Sequence, residues 1–246
     1  MTIRVVLFDL WGTLIADDPQ TGAVRNSLRA QMTADALASL GLRHARADIE
    51  AAFDRAAEAH SRIHDEGLDI TAEGRTILYL RHLDEHLPDR LDEPAWTLLH
   101  RAILTPALHA RPQPLAGAAE ALAQVKAAGF PVGLVSNAGT TPGFVLREIL
   151  DGHGLLRYFD DTVFSDEVEL AKPNAAIFER ALDAFGLAPE QAVFVGDQPV
   201  LDVLGPRAAG LWAVQVGHLG EDGIEPHVRI ASVADVMSGI EALERA

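Results

Sequence analysis

A handful of carboxylates, one lysine and a few hydroxyl residues, far apart in the chain, are the groups that could do chemistry. Asp9 follows directly on the apolar run Ile3-Arg4-Val5-Val6-Leu7-Phe8, and Asp197 follows Gly196 after the apolar run 192–195. A carboxylate at a strand end can act as a nucleophile, dividing one difficult displacement into two easier steps through a covalent aspartyl intermediate. Two carboxylates brought together can also hold a hard cation such as Mg²⁺, which offsets negative charge developing on a phosphate ester. Thiol chemistry is excluded, because the chain has no cysteine. Plainer readings stand beside these: Asp9 can cap the turn after its strand, and Asp197 and Asp202 can close a loop and cap a helix.

The elements that must position these groups follow from periodicity. The run 3–8 is rich in β-branched residues and apolar on both faces, which suits the central strand of a covered parallel sheet. From 21 to 40, Val24, Leu28, Met32, Ala36 and Leu40 recur at every fourth place before Gly41, predicting an amphipathic helix. Helical patterns continue over 47–64, 71–87 and 93–109, and the turn-like Arg111-Pro112-Gln113-Pro114 closes them. Thereafter a helix to 128 precedes strands expected at 131–136, 162–164, 192–195, 212–216 and 228–231. Helices are expected between and after them at 142–150, 175–185, 200–209 and up to 243. The expectation is an α/β, Rossmann-like, doubly wound parallel-sheet core (1–15 and 112–246), with an all-helical segment (16–111) inserted after the first strand. In such sheets ligands bind beyond the carboxyl ends of the strands. Asp9, Ser136, Asp166 with Glu167 and Glu169, and Gly196-Asp197 all fall there.

Four stretches carry a resemblance. Phe8-Asp9-Leu10-Trp11-Gly12-Thr13-Leu14, Val135-Ser136-Asn137, Lys172-Pro173, and Val195-Gly196-Asp197 followed by Asp202 resemble, in order, the motifs of the haloacid dehalogenase-like hydrolases. They span nearly the whole chain, and the helical insertion falls where that superfamily inserts its cap domain. The resemblance implies that Asp9 is the nucleophile and, with Asp197 and the backbone carbonyl of Trp11, a ligand of Mg²⁺. It implies an outer-shell place for Asp202 and close backbone approach at Gly196. By the same resemblance Lys172 neutralises the nucleophile and the substrate's anionic group, Thr13 and Ser136 donate hydrogen bonds to the same oxygens, and Asn137 shapes the anion site through its backbone.

Position 11 departs from that pattern. Most phosphatases of the superfamily carry a second Asp there, which protonates the leaving alcohol and then activates water; indole does neither. For a poor leaving group the loss is roughly 10²–10⁴-fold. Three readings follow. A Mg²⁺-dependent phosphohydrolase would take a small phosphorylated metabolite with a better leaving group, or draw its proton from the cap or the substrate. A 2-haloacid dehalogenase-like enzyme needs no such proton and carries an aromatic residue at this place, but it uses no metal and its last motif resembles Ser-Ser-Asn rather than Gly196-Asp197. A ligand-binding protein with little turnover is the third. The first is favoured, because a retained metal ligand has no use in halide displacement.

The remaining polar residues read as ordinary surface. Arg25, Arg29 and Arg43, and Glu58, His60, His64 and Glu73, are expected on solvated helix faces, while Phe53, Tyr79 and Trp96 read as the core of the helical block. The histidines, His218 and His227 included, form no convincing metal spacing. With 36 acidic against 20 basic side chains, the net charge of −16 opposes nucleic acid and anionic lipid as partners. A small anionic substrate inside a cleft remains compatible with that field. No apolar run approaches the ~20 residues that span a bilayer. Together with the direct start into the first strand, this leads to the expectation of a cytoplasmic enzyme. Nothing in the sequence speaks to oligomeric state.

Overall fold

The computed structural model describes residues 2–218 and 223–245. In chain order, β1 (Val5–Phe8) and β2 (Ile15–Ala16) lead into four helices, α1 (Thr21–Ser39), α2 (Arg46–Asp65), α3 (Ala72–Leu83) and α4 (Glu93–Leu104). There follow β3 (Gln113–Pro114), α5 (Ala118–Ala127), β4 (Val132–Ser136), α6 (Gly143–Gly152), β5 (Asp161–Phe164), α7 (Ser165–Val168) and α8 (Ala175–Asp183). The chain ends with β6 (Ala192–Gly196), α9 (Gly205–Ala208), β7 (Trp212–Val216), β8 (Val228–Ile230) and α10 (Val236–Arg245).

Six strands form one parallel sheet in the order β5-β4-β1-β6-β7-β8. The chain builds outward from β1 through β4 and β5, then returns to β1's other side at β6. Strand order therefore reverses at β1, opening a crevice beyond its carboxyl end. Alternate residues of β1 face opposite layers. Val6 and Phe8 pack with Leu122, Val125, Leu146 and Ile240, which brings α5, α6 and α10 onto one face. Val5 and Leu7 pack with Ile177, Phe178 and Leu182, which brings α8 onto the other. This is the doubly wound arrangement expected from the continuous apolar runs.

The four helices of the insertion close over a cluster of their own, including Leu37, Ile49, Tyr79, Leu99 and Ile103. Phe53 meets Tyr79 edge to face at 5.1 Å, and Trp96 packs against the same cluster, as the sequence suggested. Among the described residues, no helix is long and apolar enough to cross a membrane.

Several details differ from the periodicity. On α1 the buried residues are Arg25, Arg29, Ala30, Thr33, Ala36 and Leu37; of the predicted stripe Ala36 is among them and Met32 and Leu40 pack against the same cluster, while Val24 is 50% exposed. Arg29 tolerates burial because its donors are occupied: Nε on Ile103 O (3.0 Å), Nη1 on Asn26 Oδ1 (2.9 Å) and Nη2 on Thr140 O (3.3 Å). Arg43 is exposed, as read. Helices α3 and α4 stop short of their predicted ends, and 3₁₀ turns Pro88–Arg90 and Pro106–Leu108 take over where proline withdraws a backbone donor. The helix expected at 200–209 begins as a π-helical turn, Pro199–Leu204. The stretch read as a turn at 111–114 contains β3, which pairs antiparallel with β2 (Ile15 opposite Pro114, Ala16 opposite Gln113) where the chain enters and leaves the insertion.

Candidate active site

Strand pairing carries β1 one residue past its end: the Asp9 N–H donates to Val195 O at 2.9 Å. Asp9 thus stands in the crevice beside the ends of β4 and β6. Lys172, from the segment after α7, donates from Nζ to Asp9 Oδ1 and to Asp202 Oδ1, each at 2.7 Å. Its ammonium also lies 5.1 Å from the centroid of Phe194. The lysine's backbone is held by a side chain from the end of the neighbouring strand β4. Asn137 Oδ1 accepts from Lys172 N (2.8 Å) while Asn137 Nδ2 donates to Lys172 O (3.0 Å). Asn137, whose backbone the resemblance assigns to the anion site, is in addition a two-point clamp through its amide.

Electrostatics at the site are those of crowded carboxylates. Oxygens of Asp9, Asp197 and Asp202 lie within 4.8 Å of one another. Burial raises the Asp9 carboxyl above its ordinary range; Lys172 opposes this, and Asp202 and Asp197 add to it. Asp197 is raised by burial and by Asp202. Burial works against charge on Lys172, but Asp202 and Asp9 outweigh it and hold its pKa above the ordinary value. Asp9 Oδ2, Asp197 Oδ1 and Thr13 Oγ1 are buried without a hydrogen-bond partner among the described residues. Two glycines make room for this packing: a Cβ on Gly12 would lie 2.6 Å from Asp197 Oδ2, and one on Gly196 would lie 2.4 Å from Asp202 Cγ. Hard, unpartnered oxygens on closely spaced carboxylates fit a divalent cation of the Mg²⁺ kind.

Asp9, Trp11, Lys172 and Asp202 line a cavity of about 390 Å³. Arg25 and Asp17 share its wall, and the sequence does not single out Asp17. Arg25 was read as surface, yet it is 7% exposed, paired with Asp17, and stacked with its guanidinium carbon 5.5 Å from the Trp11 ring centroid. No motif spacing marks this pair; it forms because a turn folds Asp17 back onto the first turns of α1. Thr13 and Ser136 are fully buried behind the wall, and the Ser136 hydroxyl donates to Asn137 O at 3.3 Å. Asp197 accepts from Gln198 Nε2 at 2.7 Å through its other oxygen. A larger hollow of about 510 Å³ between α1, α2 and α3 contains none of the motif residues.

The helical insertion is joined to the lysine segment. Asp69 N donates to Glu169 O (3.2 Å) and Ala171 N donates to Gly67 O (3.0 Å), so the loop after α2 lies hydrogen-bonded along the residues leading to Lys172. The Asp69 carboxylate accepts from Ser165 Oγ at 2.5 Å, and Ser165 in turn accepts from Ala138 N at 2.8 Å. His60, expected on a solvated face, is buried against Asp69 with Nε2 2.6 Å from Oδ1.

Next to this seam, Asp166 accepts from Gly143 N at 3.1 and 3.2 Å, and burial pushes its carboxyl up to about 6. Since 3.8 is the ordinary value, the folded state holds this proton more tightly than the unfolded chain, and stability is lost as pH rises from about 4 to about 6. Asp166→Asn can still accept from Gly143 and does not ionise. Urea unfolding is therefore expected to show the variant gaining on the wild type across that window, by on the order of 3 kcal/mol, with no further gain above pH 7. A constant difference from pH 4 to 7.5 would contradict this.

Parallel strands with polar groups gathered at their carboxyl edge define an enzyme core of the Rossmann type. The chain belongs to the haloacid dehalogenase-like hydrolases, whose family model matches residues 3–210. It is 41% identical over 130 residues to a phosphoserine phosphatase of Thermus thermophilus; the match covers 51% of this chain and about half (51%) of that relative's length. A phosphoglycolate phosphatase of Rhodospirillum rubrum is 28% identical over 87% of this chain and 80% of its own. The crystal structure of a 2-haloacid dehalogenase from Pseudomonas syringae superposes with a TM-score of 0.71, covering 99% of both chains, at 22% identity. That likeness speaks for the fold alone.

Proposed function

We infer that the chain is a magnesium-dependent phosphohydrolase acting on a small phosphorylated metabolite, with Asp9 as nucleophile and the insertion 16–111 as its cap. The observation that carries this reading is the charge at the site. Three carboxylates (Asp9, Asp197, Asp202) surround one ammonium (Lys172), leaving two negative charges for a divalent cation to meet. Halide displacement has no use for such a cation, and relatives named as phosphatases support the same reaction class.

Asp9, Asp197 and the Trp11 backbone carbonyl would hold Mg²⁺, whose charge would offset that on the phosphoryl oxygens. Lys172 neutralises Asp9 and the incoming anion, with Asn137 holding its backbone and Asp202 its ammonium. Thr13 and Ser136, which lie buried behind the cavity wall, reach the phosphoryl group as hydroxyl donors only if that wall opens and Ser136 releases Asn137 O. Asp9 Oδ2, which has no hydrogen-bond partner among the described residues, attacks phosphorus; the bond to the leaving oxygen breaks, and the electron pair departs on that oxygen. Water then attacks the phosphorus of the aspartyl phosphate, releasing inorganic phosphate and restoring the carboxylate.

Trp11 supplies no proton to the leaving oxygen. Acetyl phosphate and p-nitrophenyl phosphate are therefore expected to turn over about 10²–10⁴-fold faster than alkyl phosphates such as phosphoserine or phosphoglycolate. Trp11→Asp is expected to narrow that gap by accelerating the alkyl esters, as read by phosphate release in Mg²⁺. The aromatic residue at position 11 also favours a dehalogenase reading. Chloride release from 2-chloropropionate in EDTA, with no phosphate release in Mg²⁺, would put that reading in place of ours.

A further inference from the structure

Outside the candidate active site, one group of side chains has the composition of a metal centre. His60 and His64 stand one turn apart on α2, their ring centroids 4.4 Å apart. Both direct Nε2 at Asp69 in the following loop, His60 at 2.6 Å from Oδ1 and His64 at 3.0 Å from Oδ2. The His64 Nε2 is buried, yet among the described residues it has no aligned hydrogen-bond partner. We propose that His60, His64 and Asp69 bind a divalent transition-metal ion of the Zn²⁺ or Co²⁺ kind, at a site separate from the carboxylates around Asp9.

Ligand chemistry separates the two sites. Two imidazoles and one carboxylate suit Zn²⁺, Co²⁺ or Ni²⁺, whereas the all-oxygen set of Asp9, Asp197 and Asp202 suits Mg²⁺. A four-residue spacing on a helix puts both histidines on one face. Facing a carboxylate that can only accept, His60 Nε2 carries its N–H there and presents a lone pair once an ion displaces that proton. Asp69 is oriented by donors other than the histidines, namely Ile70 N (2.7 Å), Ser165 Oγ (2.5 Å) and Arg75 Nη2 (3.2 Å to Oδ1). Such partners fix the orientation of a ligating carboxylate; Arg75 Nη2 also reaches Oδ2 at 3.3 Å, so an ion takes the places that the two histidines now hold on Asp69. Ligand atoms around tetrahedral Zn²⁺ lie roughly 3.3 Å apart, given bonds of about 2.0–2.1 Å. The present contacts of 2.6 and 3.0 Å need open by less than an ångström to admit it. The His64 side chain is 21% exposed, against 5% for His60 and 0% for Asp69, which leaves one edge through which an ion and a water ligand can enter. An ion here would tie α2 to the loop whose carboxylate holds Ser165, the seam beside the Lys172 segment.

The test is a CoCl₂ titration of the full chain, stripped with EDTA, dialysed, and held in excess MgCl₂ so that the Asp9 cluster is filled. The visible spectrum is expected to develop the intense bands of four- or five-coordinate Co²⁺, saturating at one equivalent. His64→Ala, the variant at the more exposed ligand, is expected to weaken binding at least about 100-fold, beyond the 10–100-fold of an outer-shell change. Asp197→Asn is expected to keep the bands. Thermal melting in Mg²⁺ should rise on adding Co²⁺ or Zn²⁺ to the wild type and stay unchanged for His64→Ala, whose phosphate-release activity in Mg²⁺ should match the wild type's. Absence of the bands in the wild type, or bands that survive in His64→Ala and vanish in Asp197→Asn, would overturn the proposal whatever the enzyme's reaction proves to be.

Discussion

Asp9→Asn is expected to lower phosphate release in Mg²⁺ by about 10⁴-fold or more, because the amide can neither attack phosphorus nor form the covalent intermediate. The variant should fold as the wild type does. Asn retains a carbonyl acceptor for Lys172, and removing one of three neighbouring carboxylates relieves repulsion at a site where burial and two like charges already raise Asp9's pKa. Acid-quenched wild type is expected to carry a phosphoryl adduct on the peptide containing Asp9, absent from the variant. An Asp9→Asn protein retaining more than about a hundredth of wild-type turnover would remove Asp9 from the nucleophile's role.

Lys172→Met should have the largest effect on stability. The lysine is 2% exposed and contacts both Asp9 and Asp202, so its loss leaves buried carboxylates facing one another without a counter-ion. Breaking a buried ion pair from one side costs about 3–5 kcal/mol. Urea unfolding in EDTA should register a loss of that size, and excess Mg²⁺ should recover part of it by binding the folded state. A loss below about 1 kcal/mol in EDTA would mean that water, rather than Lys172, compensates these charges.

The sheet was legible because its central strands are covered on both faces, so each reads as an unbroken apolar run with a polar residue at its end. Asp9, Lys172, Asp197 and Asp202 were legible as members of ordered motifs, and the structure brings all four together. What escaped the sequence is the polar half of the interior. Periodicity assigns Arg25, Arg29 and His60 to solvent, because hydrophobic patterning cannot foresee that Asp17, Ile103 O and Asp69 will satisfy them. The hydroxyl of Ser165 and the carboxylate of Asp69 meet across 96 positions, and the Asn137 clamp reaches Lys172 across 35. Neither leaves a local signal. A two-residue ladder such as β2 with β3 is likewise too short to impose a period.

That ladder has a consequence for how such a protein changes over generations. Its strands are hydrogen-bonded neighbours, so the chain departs from the α/β unit at Ala16 and rejoins it at Gln113 within about 5 Å. A segment whose two ends already meet adds little closure entropy to its host. The stretch between them begins and ends at paired neighbours. Another length of chain, of other helices or none, can be spliced at the same two residues while the host sheet keeps its register, provided the newcomer remakes the hydrogen bonds to residues 169–171. If the insertion is the cap proposed above, grafting a relative's insertion at Ala16 and Gln113 is expected to change substrate preference while Asp9-dependent turnover persists.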